Sequence, residues 1–228
     1  MAAKPIQPRT DLRSPNFQDR AIPVEFAVVH YTAGDRERAL SHFLTPARGV
    51  SCHLMIGEDG EVLELVDCWH GSARRAAHAG ESRLTLDGRA YAGFNDFALG
   101  IELVNRNGNL LPFSEAQYEA LAACLVHLQG VYPALRDPRR IVGHEHIAGW
   151  RGKADPGRLF DWARLFAQAY PGVPAPERLP ACPAALAEAL VKFLPLAPAQ
   201  REQAVPFWHA LSATTEAAVA LLHVPRAP

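Results

Sequence analysis

The chain holds 228 residues, 49% hydrophobic and 21% charged, with a formal net charge of -1. That is enough apolar material for one full core and a small appendage. The near-neutral balance excludes a global basic field of the kind that attracts nucleic acid or an anionic membrane surface, and no continuous apolar run is long enough to span a bilayer. Residues 1–8 contain no apolar stretch of the signal-peptide kind. Cys52, Cys68, Cys124 and Cys182 are scattered without a C-x-x-C pair, which reads as reduced thiols in a cytoplasmic enzyme rather than a disulfide framework.

Taken in chain order, residues 1–22 are polar and proline-bearing and predict an arm without regular structure. Residues 26–30 form a short β-rich run that ends in His30, and residues 35–44 carry a helical pattern. Two strands are predicted over 50–56 and 61–66, joined through Gly57-Glu58-Asp59-Gly60 as a hairpin. Residues 70–95, rich in Gly, Ala, Arg and Ser, predict a long surface loop. Strand composition returns over 97–104. Ser114-Glu115-Ala116-Gln117 is a capping box, after which Tyr118, Leu121, Ala122, Leu125 and Leu128 mark one face of a helix. A short strand at 141–142 leads into His144, and 161–170 is helical. At 171–176 a proline-rich linker begins, followed by two Ala- and Leu-rich helical stretches over 186–194 and 207–222. The expected division is an arm (1–22), a main domain (23–170) and a linker with a helical extension (171–228).

The segment 143–157 places His144, Lys153 and Asp155 in one short loop behind a strand. Imidazole and carboxylate are ligands that zinc accepts, and a lysine between them can supply positive charge beside a bound substrate. With His30 as a second imidazole, the chain reads as a metal-dependent hydrolase. Cys52 and His53 are adjacent on a strand and so point to opposite faces, which argues against a thiol nucleophile with its base. Cys52 is expected to be a small buried residue, and His53 a packing or orienting group rather than a ligand.

Several ordered motifs resemble the zinc-dependent, type 2 family of N-acetylmuramoyl-L-alanine amidases. They are Val28-Val29-His30-Tyr31-Thr32-Ala33, then Ser51-Cys52-His53-Leu54-Met55-Ile56 with Asp59-Gly60, then His78-Ala79-Gly80. Asn95-Asp96, Leu99-Gly100-Ile101-Glu102-Leu103, Pro112-Phe113-Ser114 with Gln117-Tyr118 and Leu121, and Gly143-His144 through Lys153, Asp155-Pro156-Gly157 and Phe160-Asp161-Trp162 complete the set. The similarity covers roughly residues 14–170.

This resemblance implies an α/β fold with a central mixed β-sheet flanked by helices, as in peptidoglycan-recognition proteins, and a small C-terminal helical extension. It implies one zinc ion held by His30, His144 and Asp155, with a fourth position left for water. Glu102 would be the general base and acid, and Lys153 would stabilise the oxyanion. His78 and Asn95 would contact sugar or peptide. The bond cut would join the muramic acid lactyl group to the L-alanine of the stem peptide, in peptidoglycan fragments or (anhydro-)muropeptides during recycling. A non-catalytic recognition module and a wall-lytic amidase acting on intact sacculi are the competing readings. Two features depart from the family pattern. Lys153 and Asp155 sit one position later, with residues 149–152 carrying the extra residue, and His146 stands where aspartate is common.

Overall fold

The structure is a computed structural model that describes residues 6–178, 182–192 and 205–222. Its centre is a five-stranded sheet of β2 (Phe26–Tyr31), β3 (Leu54–Ile56), β4 (Val62–Glu64), β8 (Ala98–Leu103) and β9 (Ile141–Gly143), in the order β4-β3-β8-β2-β9. Strands β3, β8, β2 and β9 run parallel to their neighbours, and β4 closes one edge antiparallel to β3, so the sheet is mixed as expected. Every residue of β2 and β8 is buried, as a parallel strand covered on both faces requires.

Alternation along the strands divides the core into two layers. Ala27, Val29, Tyr31, Leu99, Ile101 and Leu103 point to one face and pack with Leu121, Leu125 and Leu128 of α2 (Glu115–Val131) and Leu165 and Phe166 of α4 (Trp162–Ala169). Each fully buried leucine there contributes roughly 1.5–3 kcal/mol by leaving water. Helix α2 begins where its capping box places it. The Ser114 hydroxyl accepts from Gln117 N–H at 3.1 Å, and Gln117 Oε1 accepts from Ser114 N–H at 3.1 Å. Phe26, Val28, Ala98 and Val142 point to the opposite face, as do His30 and Glu102 by the same alternation. Helix α1 (Arg36–Leu44) covers part of this second face through Ala39 and Phe43, and the Asp35 carboxylate caps it by accepting from Arg38 N–H.

Four expectations are corrected. Residues 17–21, read as an arm, form β1 (Phe17–Ala21), which pairs antiparallel with β5 (Arg74–Ala76). All five β1 side chains are exposed, so the strand is held by its backbone and leaves no hydrophobic alternation to read. The stretch 70–95 is not a plain loop: besides β5 it holds the hairpin of β6 (Arg83–Leu86) and β7 (Arg89–Ala92). Its turn is Asp87-Gly88, both at positive φ, the strongest short-range hairpin signal. Finally, His144 opens a short helix, α3 (His144–Ala148), rather than a loop. The strand expected over 50–56 is confined to Leu54–Ile56.

Toward the C-terminus, α5 (Ala184–Lys192) and α6 (Val205–Leu222) are both described, while 193 and 194 of the expected first helix lie outside the described residues. Ala187 of α5 and Val219 of α6 form a small cluster with Ala154 and Cys182. All four cysteines are buried and free, Cys52 among them.

Candidate metal centre

The site lies at the C-terminal ends of the parallel strands, where open α/β sheets gather their loops. His30 and Glu102 occupy the same register on adjacent strands β2 and β8. Neighbouring strands run about 4.8 Å apart, so both side chains rise from one face side by side. His144 enters as the first residue after β9, which pairs with β2 on its other side. Asp155 arrives by a turn pinned to the domain at two points: Glu145 N–H donates to its carbonyl at 2.9 Å, and Asn109 Nδ2 donates to the Ala154 carbonyl at 3.2 Å.

The three side chains converge. His30 Nδ1 lies 3.1 Å from His144 Nδ1 and 2.8 Å from Asp155 Oδ2, and that oxygen lies 3.1 Å from His144 Nδ1. All three residues are buried. The corners of a zinc tetrahedron with ordinary Zn–N and Zn–O bonds stand roughly 3.3 Å apart, so this triangle has the size of one tetrahedral face.

The outer hydrogen bonds decide which ring nitrogens carry protons. His78 Nε2 lies 3.1 Å from the Ala98 carbonyl and therefore donates, which leaves His78 Nδ1 as an acceptor. His30 Nε2, 3.2 Å from His78 Nδ1, must then donate, and His30 Nδ1 keeps a bare lone pair. His144 Nε2 donates to the Ala79 carbonyl at 3.1 Å, so His144 Nδ1 is bare as well. With both rings in these neutral tautomers, two lone pairs and a carboxylate oxygen face one another. Such a set is repulsive until a cation stands among its members, and the donors fit zinc. Burial favours the neutral rings: it pushes His30 down to about 4 and lowers His78 well below the usual histidine value, with neighbouring histidines adding to the effect.

Glu102 is buried, and its Oε2 has no hydrogen-bond partner among the described residues. Burial first, and the charge of Asp155 second, raise its carboxyl well above the usual range, with Lys153 pulling the other way. Lys153 lines the same cleft of about 270 Å³ as His30, Glu102, His144 and Asp155.

Of the two residues expected against substrate, His78 lines the cleft beside His30 and Glu102, and Asn95 supports the backbone next to it. His78 backs His30, its ring lying on β8 at Gly100, where a Cβ would come within 2.4 Å of the imidazole. Asn95 is buried, and its Oδ1 accepts from His78 N–H at 3.0 Å and Ala79 N–H at 2.8 Å. His53 stands apart from the converging atoms. Its Nδ1 accepts from Gly100 N–H at 2.9 Å and its Nε2 donates to the Arg74 carbonyl at 2.8 Å, tying β8 to β5. His146 also turns away: its Nδ1 accepts from Gly143 N–H at 2.8 Å at the start of α3, and its ring meets Trp162.

One cleft residue has no counterpart in the sequence reading. Glu216, from α6, lines the cleft, and its Oε2 stands 3.3 Å from Lys153 Nζ. Only the tertiary fold brings it there, and no sequence signal marks it.

Comparison with known proteins adds the following. Residues 20–158 match a family described as N-acetylmuramoyl-L-alanine amidase. The chain is 42% identical over 118 residues to 1,6-anhydro-N-acetylmuramyl-L-alanine amidase AmpD of Enterobacter cloacae, an alignment that covers 52% of this chain and 56% of that protein. The chain thus spans a little over half the length of the curated relatives of this type. A solved AmpD structure is similar at 32% identity and a TM-score of 0.58, covering 71% of this chain and 93% of that one. The N-acetylmuramyl-L-alanine amidase AmiD of E. coli, solved with anhydro-N-acetylmuramic acid-L-Ala-D-gamma-Glu-L-Lys, is similar at 25% identity and a TM-score of 0.55, covering 84% of this chain and 74% of that one. Among the described residues no helix is long and apolar enough to cross a membrane.

Proposed function

Because this chain belongs to the N-acetylmuramoyl-L-alanine amidase family, we propose that it hydrolyses the amide between the lactyl group of N-acetylmuramic acid and the L-alanine of a stem peptide, with one zinc ion at His30, His144 and Asp155. The observation that carries the reading is the convergence of His30 Nδ1, His144 Nδ1 and Asp155 Oδ2 as three potential ligand atoms within 3.1 Å of one another. Zinc so held supplies Lewis acidity, acidifying water and polarising the amide carbonyl.

The chain's own residues do the rest. Glu102 takes the proton from the attacking water and passes it to the departing amine, from a buried position in the cleft beside His30. Lys153 places an ammonium beside the oxygen on which negative charge develops. His78 holds the proton-free face of His30 inward, and Asn95 fixes the backbone that offers the Ala79 carbonyl to His144. We therefore assign these two residues to positioning the ligands, with His78 also lining the cleft that would take the substrate.

For substrate we propose soluble 1,6-anhydro-muropeptides in cytoplasmic recycling, a reading supported by the kinship to AmpD. Purified protein incubated with anhydro-muropeptides and with intact sacculi, with and without chelator, tests it by product mass. Metal-dependent release of stem peptide from the soluble fragments alone is the expected result. Solubilised sacculi would move the protein to wall lysis, and binding without cleavage would make it a recognition module.

A further inference from the structure

The segment that carries Lys153 is the one the family resemblance marks as one residue longer, and α6 is built against it. Residues 149–151 form a 3-10 turn that ends in Gly152 at φ 87°. Gly152 lies so close to α6 that a Cβ there would come within 2.4 Å of the Glu216 carbonyl and 2.7 Å of the Ala220 side chain. Helix α6 is itself seated firmly. Trp208, Leu211 and Val219 are buried, Ser212 Oγ donates to the Arg106 carbonyl at 2.7 Å, and Asn107 Nδ2 donates to Thr215 Oγ1 at 3.3 Å.

From this platform one carboxylate enters the cleft: Glu216 Oε2, 3.3 Å from Lys153 Nζ. A flexible four-carbon lysine following a glycine has many positions to sample, and stabilising an oxyanion requires one of them. The ion pair is about one-third exposed on both sides, 32% for Lys153 and 31% for Glu216, so it adds little to folding. Burial of the apolar side chains, not this pair, holds α6 in place. What the pair does fix is where the ammonium stands.

We infer that Glu216 is a positioning residue of the amidase site, and that α6 is a wall of the catalytic cleft which sets Lys153 on the longer 149–152 turn. The inference rests on the amidase reading for its catalytic consequence, but the Glu216–Lys153 contact can be tested without it.

Glu216→Gln keeps the shape and removes the charge. Expected are a kcat about tenfold lower with KM and melting temperature near wild type, and no further loss when Glu216→Gln is added to Lys153→Met, because the two act through one contact. The second readout is acylation of lysines by an amine-reactive ester, followed by mass spectrometry. Glu216→Gln is expected to raise labelling of Lys153 several-fold, with Lys192 as the internal reference. Unchanged Lys153 labelling together with wild-type kcat would overturn the inference, as would equal rate losses in both backgrounds. If the wild-type protein cleaves nothing, the amidase reading fails, and the labelling arm still decides the contact.

Discussion

The two walls of the site are built on different principles. His30 and Glu102 stand on adjacent parallel strands in matched register, so a ladder of backbone hydrogen bonds fixes their spacing. His144, Lys153 and Asp155 come from a helix start and a turn, and single contacts position them: Glu145 N–H, the Asn109 amide, the Ala79 carbonyl and α6. A sheet wall tolerates side-chain changes that leave the ladder intact. The turn wall is only as good as each of its contacts.

Four substitutions sharpen or break that contrast. The largest effect is expected from His144→Ala, which removes a proposed zinc ligand from the turn wall. Bound zinc should fall below one equivalent by elemental analysis, and muropeptide cleavage should drop by about 10³-fold or more; retained zinc with retained cleavage would refute the ligand set. Glu102→Gln changes chemistry on the sheet wall without disturbing it. Zinc content should stay at one, while kcat falls by roughly 10²–10⁴; loss of metal together with rate would mean that the strand carboxylate is a ligand after all.

Asn95→Ala acts on the turn wall at one remove, through the 78–79 backbone. Zinc affinity in a competition titration should weaken by about 10–100-fold, with the circular dichroism of the fold unchanged. A wild-type affinity would show that Asn95 and the 78–79 backbone do not orient His30 and His144.

The smallest effect at neutral pH belongs to His53, which braces the sheet wall. Burial pushes its pKa from the ordinary 6.5 down to about 4. Between those values the unfolded chain takes up a proton that the folded one refuses. The stability His53 contributes is therefore complete above pH 6.5 and is lost as pH falls to 4, on the order of 3 kcal/mol in all. Denaturant melts across this range should show a shallower pH dependence for His53→Gln than for wild type. Parallel curves would mean that His53 is not the group titrating; His30 and His78, which burial also lowers, are present in both proteins.

The sequence exposed the sheet wall better than the turn wall. His30 ends an apolar run, and Glu102 sits inside one; strand register then brings them together with no further information. His144 and Asp155 were visible as residue types, but the α3 helix between them was not, because a five-residue helix leaves almost no periodicity to detect. The Asp87-Gly88 turn was a readable hairpin signal hidden in a stretch whose composition suggested a loop. Strand β1 was unreadable in principle, since none of its side chains is buried. His78 and Asn95 illustrate a different limit. Sequence marks them as belonging to the site, but only coordinates show that His78 meets His30 and that Asn95 holds the 78–79 backbone.

Gly100 links these points. By giving up a side chain in mid-strand it lets the His78 ring lie against the sheet, between the strand that bears His30 and the position that bears Glu102. The practical consequence is portability. A histidine on one parallel strand, with a glycine and a glutamate two residues apart on its neighbour, forms a short cassette that carries its own seat for the backing imidazole. Grafted onto another parallel sheet, it would bring a histidine and a glutamate already side by side; the turn-borne residues would have to be engineered contact by contact.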